Sequence, residues 1–299
     1  MSVPNYEAIR IWNRSAAREE IEQVYGDRLV RLLYGSSPGQ LIADQVLSRA
    51  VFSRLYGSYQ SSRASRHKIE PFIRDFKIDM NEFERGPFAT FNDFFIRRFR
   101  PGVRQFATRA NALPAFAEAR YFAYDGPTSD RSFQIKGEAL DRAQMLGGVE
   151  KATRFQGGPV LIARLCPTDY HRFHYPDEGT TISGYRLAGP LHSVNPLALR
   201  GRPGILASNE RRVSILSTRN FGQLAYVEVG ALCVGKIIQT HLEKTPFSRG
   251  AEKGYFLFGA STVVLLGETG AWKPSADILA QTEARRETLV RLGEEIASS

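Results

Sequence analysis

Apolar positions in the first sixty residues recur at helical spacing. Ser15 reads as the cap of a helix over 16–34, with Ile21, Val24, Leu29, Leu32 and Leu33 on one face. Gly35-Ser-Ser-Pro-Gly39 breaks it, and a second amphipathic run over 41–55 carries Leu41, Ile42, Val46, Leu47 and Val51. From about Phe122 the texture changes to short runs of β-branched and aromatic residues separated by Gly and Pro. These runs cover 159–165, 180–187, 213–217 and 222–238, and the half-alternating stretch 224–234 reads as a strand buried on one or both faces. Residues 275–297 are charged and helix-prone. The expected class is α+β: a helical, basic region over 1–105, then a β-rich core of packed antiparallel sheets over 106–299. Phe91-Asn-Asp-Phe-Phe-Ile-Arg-Arg-Phe-Arg-Pro101 fits either a core helix end or a membrane-facing edge.

Composition narrows the class. A chain of 299 residues, 42% apolar and 24% charged, buries a sizeable core as one large domain or two modest ones. It has no apolar run near the ~20 residues that span a bilayer. The first residues lack the basic and apolar regions of a secretory signal, so an intracellular protein is expected. The net charge of +9 admits nucleic acid, anionic lipid or acidic ligands as partners. Residues 1–110 hold 18 Lys/Arg against 12 Asp/Glu, so much of the excess lies early. With no aromatic-interleaved basic block, helix-turn-helix or zinc-finger spacing, nucleic acid is not the expected partner. Arg18, Arg28, Arg31, Arg49 and Arg54 form either a solvated helix face or a surface for anionic headgroups. Cys166 and Cys233 make no CxxC or metal-ligand pattern and read as free thiols.

Reactive groups cluster in the β-rich part. Within the apolar run 249–266, Gly259-Ala260-Ser261-Thr262 interrupts an otherwise buried strand. Such a break is a turn or bulge, or a serine placed to attack the peptide bond before it. Asp125 stands at an Asp-Gly turn pair. His171 and His174, spaced i and i+3, are a pair of bases, metal ligands or core residues. No Glu or Cys lies at a familiar ligand spacing and HExxH is absent, so no metal is expected and a metal-dependent hydrolase is disfavoured. Carboxylate, histidine and hydroxyl are the parts of a triad. Sequence supplies the parts without joining them.

Over nearly its full length the chain resembles the phosphatidylserine decarboxylases, a pyruvoyl-dependent family. The likeness rests on Phe91–Phe99, Tyr124-Asp-Gly126, Phe133-Gln-Ile-Lys-Gly137 and Asp169-Tyr-His-Arg-Phe-His174. It continues through Ser193-Val-Asn-Pro196, Asn209-Glu-Arg211, Val229-Gly-Ala231 and Arg249-Gly-Ala-Glu-Lys-Gly254 to Ser261-Thr262. Arg249 keeps the positive charge of a position where the family often has lysine.

The resemblance implies self-cleavage between Ala260 and Ser261, the serine hydroxyl attacking the Ala260 carbonyl to give an ester. Elimination then separates two fragments, which stay together as a heterodimer, and residue 261 becomes a pyruvoyl group. It further implies His174 as the base, Asp125 as the group orienting it, and His171 as the acid that protonates the decarboxylated carbanion. The pyruvoyl cofactor forms a Schiff base with phosphatidylserine and accepts the electrons left by departing CO2, giving phosphatidylethanolamine. A peripheral protein on the cytoplasmic face of an anionic membrane is the implied setting, and a homo-oligomer is compatible with the sequence. One position departs: Ala260 stands where the family usually has glycine, and its methyl restricts the backbone beside the bond to be cut. Slower processing is expected from it, and a non-processing lipid-binding pseudoenzyme is the alternative it opens. A pyruvoyl decarboxylase of a soluble amino acid is the other alternative.

Overall fold

The computed structural model describes residues 8–23, 25, 39, 50–126, 141–201, 204–232, 236–259 and 261–299. Ala260, Cys233 and the Phe133–Gly137 motif lie outside the described residues, as do most of 24–49.

The first described segment corrects the start of the helix expected over 16–34, of which 24 and 26–34 lie outside the described residues. Residues Arg14 to Ala17 form a turn, and β1 (Arg10–Asn13) and β2 (Arg18–Ile21) make an antiparallel hairpin. Ser15 therefore caps nothing. Three charged residues in Arg-Glu-Glu-Ile favour a helix locally, but long-range pairing wins. β1 lies parallel to β15 (Glu287–Val290), and Glu19 is held by Arg10 and Arg286. Of the second expected helix, the described part is real and runs on past Leu55 as α1 (Ala50–Gln60). A 3-10 turn follows, then α2 (Ile69–Phe76), which ends at Lys77 in the left-handed region.

α3 (Phe91–Phe95) begins at a capping box: Thr90 Oγ1 accepts the Asp93 amide, and the Asp93 carboxylate accepts the Thr90 amide. Phe91, Phe94 and Phe95 are fully buried with Ile69 and Phe72 of α2. The aromatic-rich segment is thus a core helix, the first of its two readings. Phe258, far along the chain, completes this cluster.

The remaining strands are β3 (Ala112–Pro114), β4 (Ala119–Tyr124), β5 (Val160–Leu165), β6 (Arg172–His174) and β7 (Gly179–Leu187). Next come β8 (Arg211–Thr218), β9 (Gln223–Val229), β10 (Ile237–Gln239), β11 (Pro246–Phe247) and β12 (Glu252–Phe256). β13 (Ser261–Gly267), β14 (Lys273–Pro274) and β16 (Glu295–Ser298) complete the set with β15. A ten-stranded sheet has the order β11-β7-β8-β9-β13-β5-β4-β15-β1-β2. Two three-stranded sheets, β10-β12-β6 and β14-β16-β3, accompany it. The α+β class holds, with a β-rich core of largely antiparallel sheets. The helix-prone tail is helical only over Ala276–Glu283 before β15 and β16.

One buried ion pair ties the sheets together. Lys253 of β12 reaches Glu228 of β9, and also donates to Ser214 Oγ at 3.0 Å and Gln239 Oε1 at 2.7 Å. Its ammonium also faces the rings of Phe173, Tyr175 and Tyr226. Burial and these partners together hold the small sheet against the large one at a fixed offset, and that offset positions the site.

Candidate active site

The apolar run 249–266 is two strands in two sheets. β12 ends at Phe256 in the small sheet and β13 starts at Ser261 in the large one. Gly259 lies in the crossing with φ of 145°, a backbone conformation that side chains resist. Ser261 is fully buried and sits opposite Leu165, the last residue of β5.

Beyond β5 the chain turns sharply. The Asp169 amide donates to the Cys166 carbonyl at 2.9 Å, and Asp169 Oδ2 accepts the Cys166 amide at 2.7 Å. This turn returns His171 to the start of β13, where its Nδ1 lies 3.4 Å from Ser261 Oγ. Its Nε2 donates to the Cys166 carbonyl at 2.8 Å, which leaves the Nδ1 lone pair facing the hydroxyl. The imidazole stacks on Phe95 at 3.8 Å between centroids, and its main-chain carbonyl accepts the Phe256 amide at 2.9 Å. Burial, helped by the Arg97 cation, pushes its pKa down to about 3, so the ring is neutral at physiological pH.

His174 is turned elsewhere. Its Nδ1 donates to the Gly250 carbonyl at 2.9 Å and its Nε2 accepts from the Tyr170 hydroxyl at 3.3 Å. Both ring nitrogens are thereby engaged, and burial lowers the pKa to about 4. The structure thus brings Ser261 together with His171 and not with His174.

Asp125 is farther still. β4 and β5 are antiparallel with Tyr124 opposite Val160, whereas Ser261 is opposite Leu165 at the other end of β5. At about 3.3 Å per residue, the two ends are separated by roughly 17 Å. Asp125 is partly exposed there, 3.6 Å from Lys273 Nζ, and is not brought to Ser261. The register of β4 is the reason: the strand ends at Tyr124, just before Asp125, and its other end, at Ala119, follows Glu118. Arg104 grips Glu118 with bonds of 2.6 and 2.7 Å, and the Leu292 amide donates to it at 3.1 Å.

A buried network stands on the opposite face of β13 and β5. Arg164 binds Glu22 at 2.7 Å and Glu287 at 2.6 Å, and Arg120 binds Glu22 at 2.6 Å as well as Asp169. Burial raises the Glu22 pKa, but the two arginines more than offset this and hold it down to about 2. The network fixes Asp169, hence the turn that delivers His171. Among the described residues no group of three or more His, Cys, Asp or Glu gathers as a metal site, and no helix is long and apolar enough to cross a membrane.

A fully buried serine at a sheet-to-sheet crossing, facing the lone pair of a neutral histidine, has the geometry of a hydroxyl nucleophile beside a base. Residues 91–298 match the family model described as phosphatidylserine decarboxylase. Proteins named phosphatidylserine decarboxylase proenzyme are similar almost end to end. The one from Clostridium kluyveri is 39% identical over 290 residues, covering 96% of this chain and 98% of its own. That from Ruminiclostridium cellulolyticum is 39% identical over 97% of both chains, and that from Clostridium perfringens strain SM101 is 38% identical over 96% of this chain and 99% of its own. The chain belongs to the phosphatidylserine decarboxylase family.

Proposed function

We propose that the chain is a proenzyme that cuts itself between Ala260 and Ser261 and then decarboxylates phosphatidylserine to phosphatidylethanolamine. The observation that carries this reading is the approach of Ser261 Oγ to His171 Nδ1 in a site closed to water. His171, rather than His174, takes the hydroxyl proton as Oγ bonds to the carbonyl carbon of residue 260. The carbon–nitrogen bond breaks, the proton passes to the amine, and an ester replaces the amide. Loss of the Ser261 α-proton and cleavage of the Cβ–Oγ bond then free the carboxylate of residue 260. Rearrangement and hydrolysis at residue 261 release ammonia and leave the pyruvoyl carbonyl.

Ser261 suits this conversion because it opens a strand, so the β13 ladder survives loss of the chain before it. The chemistry a pyruvoyl carbonyl supplies is an electron sink for the bond that loses CO2. His171 is also positioned to hold the proton that returns to the α-carbon. The relatives' designation as proenzymes supports processing.

Intact mass under denaturing conditions tests the reading. The expected products are 1–260 and 261–299, with Ser261→Ala remaining one chain. A parent protein that stays uncut after long incubation overturns it and points to Ala260 as a block.

For the setting, we propose a peripheral protein on the cytoplasmic face of an anionic membrane, touching it through the region 1–105. Leu55 (69% exposed) and Tyr59 (39%) of α1 stand out from the surface near Arg63, Arg66 and Lys68, and the chain carries +9 overall. Sedimentation with phosphatidylserine vesicles should weaken as salt rises. An absence of binding at low salt would remove this surface from consideration.

A further inference from the structure

The reacting groups come from separate sheets, yet both lean on one short helix. Asn92 of α3 is 3% exposed among phenylalanines. A polar amide is costly there unless bonded. Its Oδ1 accepts the amide of Phe258, three residues before the nucleophile, at 2.9 Å. Its Nδ2 donates to Ser61 Oγ at 2.8 Å, which fixes the orientation of the side chain. The Phe258 ring packs on Phe91 at 5.1 Å and Phe95 at 4.9 Å. One face of α3 thus holds the chain leading into the cut.

The same helix also holds His171. Phe95 carries His171 on its ring. Just past the helix, buried Arg97 donates to the carbonyls of Thr168 at 3.1 Å and Asp169 at 3.3 Å, bracing the loop that ends at His171. The remaining gap, 3.4 Å from Ser261 Oγ to His171 Nδ1, is longer than the 2.6–3.2 Å of a working general base. Small changes in the relative placement of the two segments therefore decide how often the proton can move.

We propose that Asn92 is a positioning residue for self-cleavage, acting through the Phe258 amide to set the path of the chain into Ser261. This inference rests on the proposed function. It adds a separation in time: after the cut, Phe258 lies near the new end of fragment 1–260, and Asn92 has no further part in turnover.

The test follows the appearance of fragments by intact mass for the parent, Asn92→Ala, Asn92→Asp and Ser61→Ala, and measures decarboxylation per cut chain. Loss of one buried hydrogen bond sets the scale, about tenfold slower cutting for Asn92→Ala. Cut Asn92→Ala molecules should turn over within about twofold of the parent. Asn92→Asp keeps the acceptor and should cut faster than Asn92→Ala. Ser61→Ala leaves the aromatic cluster untouched and should slow the cut by a smaller factor, which preserves the test if Asn92→Ala does not fold. Asn92→Ala cutting as fast as the parent overturns the inference, as does slowing of cutting and turnover in equal proportion. If Asn92→Ala does not fold, an unchanged rate in Ser61→Ala overturns it. A parent that never cuts overturns the proposed function instead.

Discussion

At the scale of single residues, the site is governed by two buried histidines that stay neutral. Unfolded, each would titrate near 6.5; folded, burial takes His171 to about 3 and His174 to about 4. Because the folded values are depressed, the unfolded chain binds more protons between roughly pH 6.5 and 4. The stability contributed by the neutral rings is complete above the unfolded pKa and falls as pH drops through that window. The loss is about 1.4 kcal/mol per pH unit for each ring. Urea midpoints should decline from pH 6.5 to 4.5, and His174→Gln should flatten the slope. A midpoint constant over that range would contradict the assignment.

The two rings also differ in what they face, so substitution should separate them. His171→Ala is expected to remain uncut, whereas His174→Ala should still cut, within about tenfold of the parent rate. The opposite pattern would restore His174 as the base. Spacing alone could not distinguish these residues, since i and i+3 share a face only on a helix and the segment instead enters the strand β6. The distinction comes from the Cys166 turn, which bends His171 back toward β13. The placement of Asp125 was hidden for a related reason. An Asp-Gly pair signals a turn, but which end of the sheet that turn occupies depends on pairing with β5, 36 residues later at its nearest.

At the scale of elements, the offset between the two sheets depends on Lys253. With Lys253 1% exposed and Glu228 not at all, removing one charge strands the other in the interior. Lys253→Met should destabilise the fold by roughly 3–5 kcal/mol, and adding Glu228→Leu should recover much of that loss. Chemical denaturation of both variants checks it, and a single variant within 1 kcal/mol of the parent would show that the pair is dispensable.

The strands themselves were legible because their apolar runs are local: 159–165 and 180–187 appear nearly as expected in β5 and β7. The N-terminal hairpin was not. Its partner β15 lies more than 270 residues away, and only that pairing turns Arg-Glu-Glu-Ile into an edge of the sheet. Nor could sequence show that Gly259 separates two sheets, because a bulge within one strand would carry the same glycine and hydroxyl residues.

At the scale of the whole molecule, the Arg120–Arg164 network joins the segment after β2, the turn before His171 and β15 near the C-terminus. Glu22, β15 and the turn before His171 are thereby parts of one packed interior. A cut chain should accordingly migrate as a single particle in native size exclusion and separate only in denaturant. Native dissociation of the fragment 261–299 would mean that the sheet does not hold it.

β13 lies between β9 and β5, with six residue pairs on each side. On the proposed function, a prosthetic group made from residue 261 would be carried by a strand that cannot be drawn out and replaced while the sheet is intact. Chemical damage to that group would end the working life of the molecule, with no exchange of cofactor to repair it. Capacity for the reaction would then follow the rate at which new chains are made, and each molecule would be committed from its first cut.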